Sequence, residues 1–216
     1  MARRLTFALG IDTMTPDERS KALRQQADEV LELIHLHAHC ARIGDVIPTG
    51  SYFLDLMMYP DIDLYLPPTT PEKLLTVAAE LSGYESVKKL NFEKGGPGDM
   101  AEGLYIKPVV HVGDWERPWK VDIWSLPLSV IEKKQAQVID LKRRMTEEHR
   151  QRILDCKYRL LNAAGRTPMF SGIYIYRAII DHDMKELGCI IEFLKGNGID
   201  VEFAQPSGAG DALQRA

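Results

Sequence analysis

Cysteine is scarce in this chain. Its three residues, Cys40, Cys156 and Cys189, are far apart and odd in number, which argues against a disulfide framework and for free thiols in a reducing compartment. Long apolar runs are missing as well. No window approaches the roughly 18 consecutive apolar residues of a membrane span. The first ten residues carry Arg3 and Arg4 without an apolar core of signal length, so the expectation is a cytoplasmic protein with no membrane segment. Nor is there a surplus of positive charge: 27 Lys and Arg against 31 Asp and Glu give −4, unlike a dedicated nucleic-acid binder. No repeat or long low-complexity tract is visible. What remains is 216 residues, 45% of them hydrophobic, enough for one domain with a real core or a domain with a helical appendage.

The local signals divide the chain unevenly. Thr15-Pro16-Asp17-Glu18 reads as a helix entry, with threonine as N-cap and proline at the first helical position. The apolar spacing of Leu23, Ala27, Val30, Leu31, Ile34 and Ala38 carries that helix to about Cys40. Strands are expected over 42–49, 61–66, 84–93, 103–112 and 119–124. Short helices are expected over 52–58 and 73–82, the latter closed by Gly83. From Leu126 onward the pattern is helical: a short piece over 129–134, a long basic helix over 138–163, and a last helix over 170–195. The expected architecture is α+β, a mixed or antiparallel central sheet flanked by helices and followed by a C-terminal helical region. We divide it into a core over 15–135, the helical region over 136–203 and a loose tail over 204–216.

The chemistry concentrates in Gly50–Leu66. Asp61 and Asp63 stand one residue apart in Asp-Ile-Asp-Leu-Tyr-Leu. In a strand they share a face, while Ile62 and Leu64 point to the core. Two carboxylates so placed repel by about 4 kcal/mol at 4 Å and an effective dielectric of 20. Protonation relieves this, and so does a cation between them, for which a hard divalent ion such as Mg²⁺ is suited. Upstream, Gly50-Ser51 makes a turn whose backbone can approach a phosphate. Downstream, Trp119-Lys120-Val121-Asp122-Ile123-Trp124 is a second apolar strand with an embedded aspartate. If the two strands are neighbours, Asp122 joins Asp61 and Asp63. Otherwise Asp122 is a salt-bridge partner of Lys120 or Lys107.

Gly50-Ser51, Asp61-Ile62-Asp63 after a nine-residue spacer, and Asp122 in Val-Asp-Ile-Trp together resemble the nucleotidyltransferase superfamily that shares the fold of DNA polymerase β. The resemblance covers about 40–125. It implies a polymerase β-like core in which Asp61, Asp63 and Asp122 bind two Mg²⁺ ions, with Asp122 also activating the acceptor hydroxyl. Gly50, Ser51 and Lys120 would contact the nucleotide, and Lys107, Trp124 and Tyr65 are further candidates for phosphate or base. The implied reaction moves an NMP from an NTP to a hydroxyl acceptor and releases pyrophosphate. The chain is similar in size to small bacterial members of that superfamily and has no recognisable RNA-binding extension. The residues name neither the nucleotide nor the acceptor, small molecule or nucleic acid, and they allow an oligomer. A second reading keeps the fold as a non-catalytic nucleotide-binding or regulatory module.

Two other constellations compete. His35 and His39, four apart on the expected helix, have the spacing of a zinc pair, but a helix side and its C-terminal end account for them without metal. Arg177 and His182 resemble the catalytic pair of the helical HEPN ribonucleases. Five residues apart on one helix they share a face poorly, and a helix-surface pair is the simpler account.

Overall fold

The computed structural model describes residues 14–201. The expected tail over 204–216, the last residues of the expected helical region and the extreme N-terminus lie outside the described residues. The first helix, α1 (Pro16–Leu33), opens on a capping box: Thr15 Oγ1 accepts from the Glu18 amide, and the Glu18 carboxylate accepts from the Thr15 amide at 2.9 Å. It does not run to Cys40 in one piece. His35 takes a left-handed conformation (φ 46°) and a short α2 (Leu36–Cys40) restarts the chain in a new direction. The apolar spacing continues through the break because Ile34, Leu36 and Cys40 are all buried in the same core; periodicity registers burial and does not see the kink.

Five strands follow: β1 (Ile47–Thr49), β2 (Asp61–Leu66), β3 (Val87–Lys94), β4 (Leu104–Val110) and β5 (Trp119–Ser125), with α3 (Gly50–Leu54) and α4 (Pro71–Ser82) between them. β1 is shorter than the strand expected over 42–49. The sheet order is β1-β2-β5-β4-β3. β2 and β5 are parallel and every other neighbouring pair is antiparallel, so the architecture is α+β with a mixed sheet flanked by helices. The parallel pair joins strands far apart in sequence, with α4 and the β3–β4 hairpin in the connection.

The remaining helices break where a single periodicity conceals two elements. α5 (Leu128–Arg144) and α6 (Glu147–Arg159) replace the short and long segments expected over 129–163. Thr146 caps α6, its hydroxyl accepting from the His149 amide at 3.1 Å. α7 (Ser171–Ile180) and α8 (Leu187–Gly196) replace the single helix expected over 170–195. α5 runs unbroken through residues 135 and 136, where the sequence reading draws its division.

Two apolar cores result. One lies between α1, α2, α4 and one face of the sheet, and holds Leu23, Ile34, Leu74, Ile62, Leu64, Trp119, Val121 and Ile123. The other joins α5–α8 to Leu54, Leu56 and Met58, which precede β2. Arg19, 2% exposed, ties the chain between them: its Nε donates to the Met58 carbonyl at 2.9 Å and its two terminal nitrogens donate to Glu116 at 2.9 and 2.8 Å. Arg150 of α6 reaches Asp17 of α1 at 2.5 Å. Among the described residues no helix is long and apolar enough to cross a membrane.

Candidate active site

In β2 and β5 burial alternates residue by residue. Ile62, Leu64, Val121 and Ile123 enter the core; Asp61, Asp63, Lys120, Asp122 and Trp124 occupy the opposite, open face. The register sets Asp63 beside Asp122 and Asp61 beside Lys120. Neighbouring strands are about 4.8 Å apart, so two carboxylates from distant parts of the sequence sit on adjacent positions, with the third two residues along.

Gly50 closes the cluster from the β1 side. Its φ is +59°, and a Cβ built there would overlap the Asp63 carboxylate at Oδ2. Only glycine allows both the left-handed turn and the approach. Thr49 pairs with Asp63 across the sheet. Ser51 lies in the first turn of α3, half-buried, its carbonyl accepting from the Asp55 and Leu56 amides. Asp55 ends α3 in a left-handed conformation and meets Arg24 and Lys142 at 3.4 Å.

The electrostatics follow from enclosure. Burial, then the Asp122 charge, pushes Asp61 up to about 6, against the pull of Arg117, Lys120 and Arg166. Burial, then Asp61 and Asp122, raises Asp63 well above the carboxylate range, with Lys157 opposing. Asp61 Oδ1 is buried without a hydrogen-bond partner, an unusual state for a carboxylate oxygen. Asp122 is better supplied, since the Tyr105 hydroxyl donates to its Oδ1 at 2.6 Å. That bond and burial hold the Tyr105 hydroxyl proton far above its usual range, burial being the larger cause. Asp122 has no ion pair with Lys120 or Lys107 within 4 Å. Tyr105 stacks on Trp124, with ring centroids 4.5 Å apart, and Lys107 Nζ lies 5.5 Å from the Tyr105 ring. Tyr65 pairs with Trp124 across β2 and β5.

Four contributors are not singled out by the sequence reading, which holds Lys157 only as one of seven basic residues of the long helix, one or two of which could reach a triphosphate or an acceptor. Lys157 of α6 is 2% exposed; its ammonium donates to the Leu56 carbonyl and lies 5.7 Å from the rings of both Tyr59 and Tyr176. Burial brings it down to about 8, with Asp63 and Asp61 opposing. One signal was available. Lys157 falls in the apolar stripe of α6, at i+4 from Ile153 and i+3 from Leu154, where a solvated lysine has no place. Arg117 and Arg166 sit in loops that touch each other, a Cβ at Gly165 falling 4.0 Å from the Arg117 side chain, and nothing local in the sequence marks them. Tyr105 is read only as a strand residue.

The competing constellations come apart. His35 and His39 do not lie on one helix. The Tyr84 hydroxyl sits between them, 3.1 Å from His35 Nδ1 and 2.9 Å from His39 Nε2, and His39 Nδ1 faces Glu80 at 2.8 Å. Arg177 is in α7, while His182 lies past that helix against Phe193, ring centroids 5.3 Å apart, and both side chains are exposed.

The donor set of the open face, three carboxylates and no thiolate or imidazole, suits a hard cation bound through oxygen. The unpartnered Asp61 Oδ1 and the glycine-only approach to Asp63 fit such an ion. Among the described residues no group of three or more His, Cys, Asp or Glu already stands in a metal-holding arrangement; one oxygen of Asp122 is engaged by Tyr105. In comparisons with known proteins, no family model matches the chain and no curated protein matches it.

Proposed function

We propose that the chain is a Mg²⁺-dependent nucleotidyltransferase that transfers an NMP from an NTP to a hydroxyl acceptor, on a polymerase β-like core over residues 15–135 with a C-terminal helical region. The observation that carries this reading is the parallel register of β2 and β5, which sets Asp63 beside Asp122 on one open face, with Gly50 against Asp63. The mixed order β1-β2-β5-β4-β3 supports it. The thiols, two buried and one exposed and none bridged, suit a cytoplasmic enzyme.

Asp61 and Asp63 would hold both ions, and Asp122 would share one of them. When bound, the ions supply Lewis acidity at the attacking and leaving oxygens. The chain's own groups do the rest. Gly50 and Ser51 would hold the triphosphate from the β1 side of the carboxylates, and Lys120 would meet it from β5, beside Asp61. Lys157 stands behind Asp63 and offsets its charge from below the site. Asp122, oriented by Tyr105, takes the proton of the acceptor hydroxyl as its oxygen attacks the α-phosphorus. The α–β phosphoanhydride bond breaks and pyrophosphate leaves.

The test is pyrophosphate release and label transfer from ATP, CTP, GTP and UTP with Mg²⁺ over a broad acceptor panel. Asp61→Ala and Asp63→Ala proteins are expected to fold and lose transfer. Full transfer by either variant overturns the reading. Tight Mg–NTP binding with no release over the whole panel supports the non-catalytic module instead.

A further inference from the structure

The cations of this molecule are not evenly paired. Arg19, Arg24, Arg42, Arg143, Arg144, Arg150, Arg152 and Arg159 each stand within 4 Å of a carboxylate. Among the described residues Arg117, Arg166, Lys107 and Lys120 do not, and all four lie around the open face; Arg177, Lys73, Lys88, Lys89 and Lys94, also without such a partner, lie elsewhere. Lys120 is two residues before Asp122 on the same face and beside Asp61 in register. Lys107 is on the next strand, over the Tyr105 ring whose hydroxyl binds Asp122. Arg117 lies 5.6 Å from the Tyr59 ring, two residues before β5, and Arg166 is in the loop packed on it. With three aspartates on the same face, these four still make no ion pair within 4 Å, whereas eight arginines elsewhere do.

Charge decides what they are for. With Lys157, five cations face three carboxylates. A nucleoside triphosphate arriving with two Mg²⁺ ions brings about as much positive as negative charge and leaves that surplus in place. The triphosphate is expected on the Gly50 side of Asp63, whereas Lys107 lies beyond Asp122, towards β3 and away from Gly50. A cation there is on the side from which a hydroxyl would reach Asp122.

We infer that the acceptor is a hydroxyl compound carrying a phosphate group, which Lys107 binds on the Asp122 side of the site while the hydroxyl faces Asp122. A polycationic acceptor, such as an amino sugar, is repelled by the same surface. This inference rests on the nucleotidyltransferase reading and adds the acceptor's chemistry to it.

The test is calorimetry on the full chain saturated with Mg²⁺ and the nonhydrolysable ATP analogue AMPCPP, so that the triphosphate subsite is filled. The probes are ribose 5-phosphate, ribose, glucosamine and a single-stranded RNA trinucleotide. We expect ribose 5-phosphate or the trinucleotide to bind about tenfold or more tighter than ribose, and glucosamine to bind weakest. Ribose 5-phosphate above the other probes identifies a small phosphorylated acceptor; the trinucleotide alone identifies a phosphate presented on a strand. Lys107→Gln is expected to reduce the preference for the phosphorylated probe about fivefold, and Lys107→Glu to abolish it, with an unchanged melting temperature as the folding control. Binding of Mg–AMPCPP with equal affinity for ribose and both phosphorylated probes overturns the acceptor assignment alone, as does a preference indifferent to Lys107→Glu. Failure to bind Mg–AMPCPP at all removes the nucleotidyltransferase reading, and this inference with it.

Discussion

Strands β2 and β5 share one alternation, and their two faces differ in what that alternation stabilises. On the core face Ile62, Val121 and Ile123 are fully buried and Trp119 is 0% exposed, its indole donating to Gln26 at 3.0 Å. The apolar side chains there pack on one another in a single core. On the open face three carboxylates crowd one another, one oxygen has no donor, and burial opposes the ionisation of Asp61 and Asp63. The core face holds the protein together, and the open face is held in place by it at a cost in stability. Strain of that sort concentrates where a ligand completes the arrangement.

The largest expected effect separates the faces most sharply. On the proposed nucleotidyltransferase reading, Asp63→Asn should lower transfer about a thousandfold or more, since it would remove the side chain proposed to hold both ions. The same change should raise the melting temperature of the Mg²⁺-free protein, because an enclosed charge and its two repulsions disappear. Pyrophosphate release and a thermal melt read both. A melting temperature that falls by several degrees would mean that Asp63 belongs to the stabilising face after all.

Next is the reverse experiment. Trp119→Ala removes a fully buried indole from the core face and should cost about 3–5 kcal/mol in urea unfolding, with Mg–nucleotide affinity changed far less than in Asp63→Asn when measured below the melting transition. Comparable losses of affinity in the two variants would erase the distinction between the faces.

The pH dependence gives a smaller and more specific signal. Asp61 is raised from the ordinary aspartate value of 3.8 to about 6 in the folded protein. Its protonated form therefore contributes stability that is fully present below about pH 4 and lost as pH rises through about 6. The full shift corresponds to at most about 3 kcal/mol. Without divalent ions the melting temperature should fall across this window. Asp61→Asn should flatten the fall, and Mg²⁺ should offset it by favouring the ionised form.

How much of this was readable beforehand depends on whether the determinant is local. The faces of β2 and β5 follow from a two-residue period, so Asp61, Asp63 and Asp122 could be assigned an orientation from sequence alone. Their meeting could not: β2 and β5 pair in parallel across more than fifty intervening residues, and no local signal states which strands become neighbours. The Gly50-Ser51 turn was readable in the sequence, but its contact with Asp63 is tertiary. The helix breaks at His35, at Met145 and after Ile180 were hidden because apolar spacing continues on both sides of each. At Thr146, the threonine three residues before His149 was a usable capping signal. Arg117 and Arg166 gain their meaning from the loops that bring them together.

The smallest expected effect lies on the other side of the sheet, in the relay from Arg42 through Glu80, His39 and Tyr84 to His35. Arg42 donates to both Glu80 oxygens at 2.7 Å, so the carboxylate is fixed, and His39 follows it. Three of the four ring nitrogens are already engaged: His39 Nδ1 by Glu80, and His39 Nε2 and His35 Nδ1 by the tyrosine oxygen between them. The relay is part-exposed, so each bond contributes little. Tyr84→Phe removes the bridging oxygen and should cost about 1 kcal/mol in unfolding, with transfer activity unchanged. Equimolar zinc should leave the wild-type melting temperature where it is. A zinc-dependent rise that disappears in His39→Ala would show instead that the two imidazoles can release the tyrosine and take a metal, and the quiet side of the sheet would then have chemistry of its own.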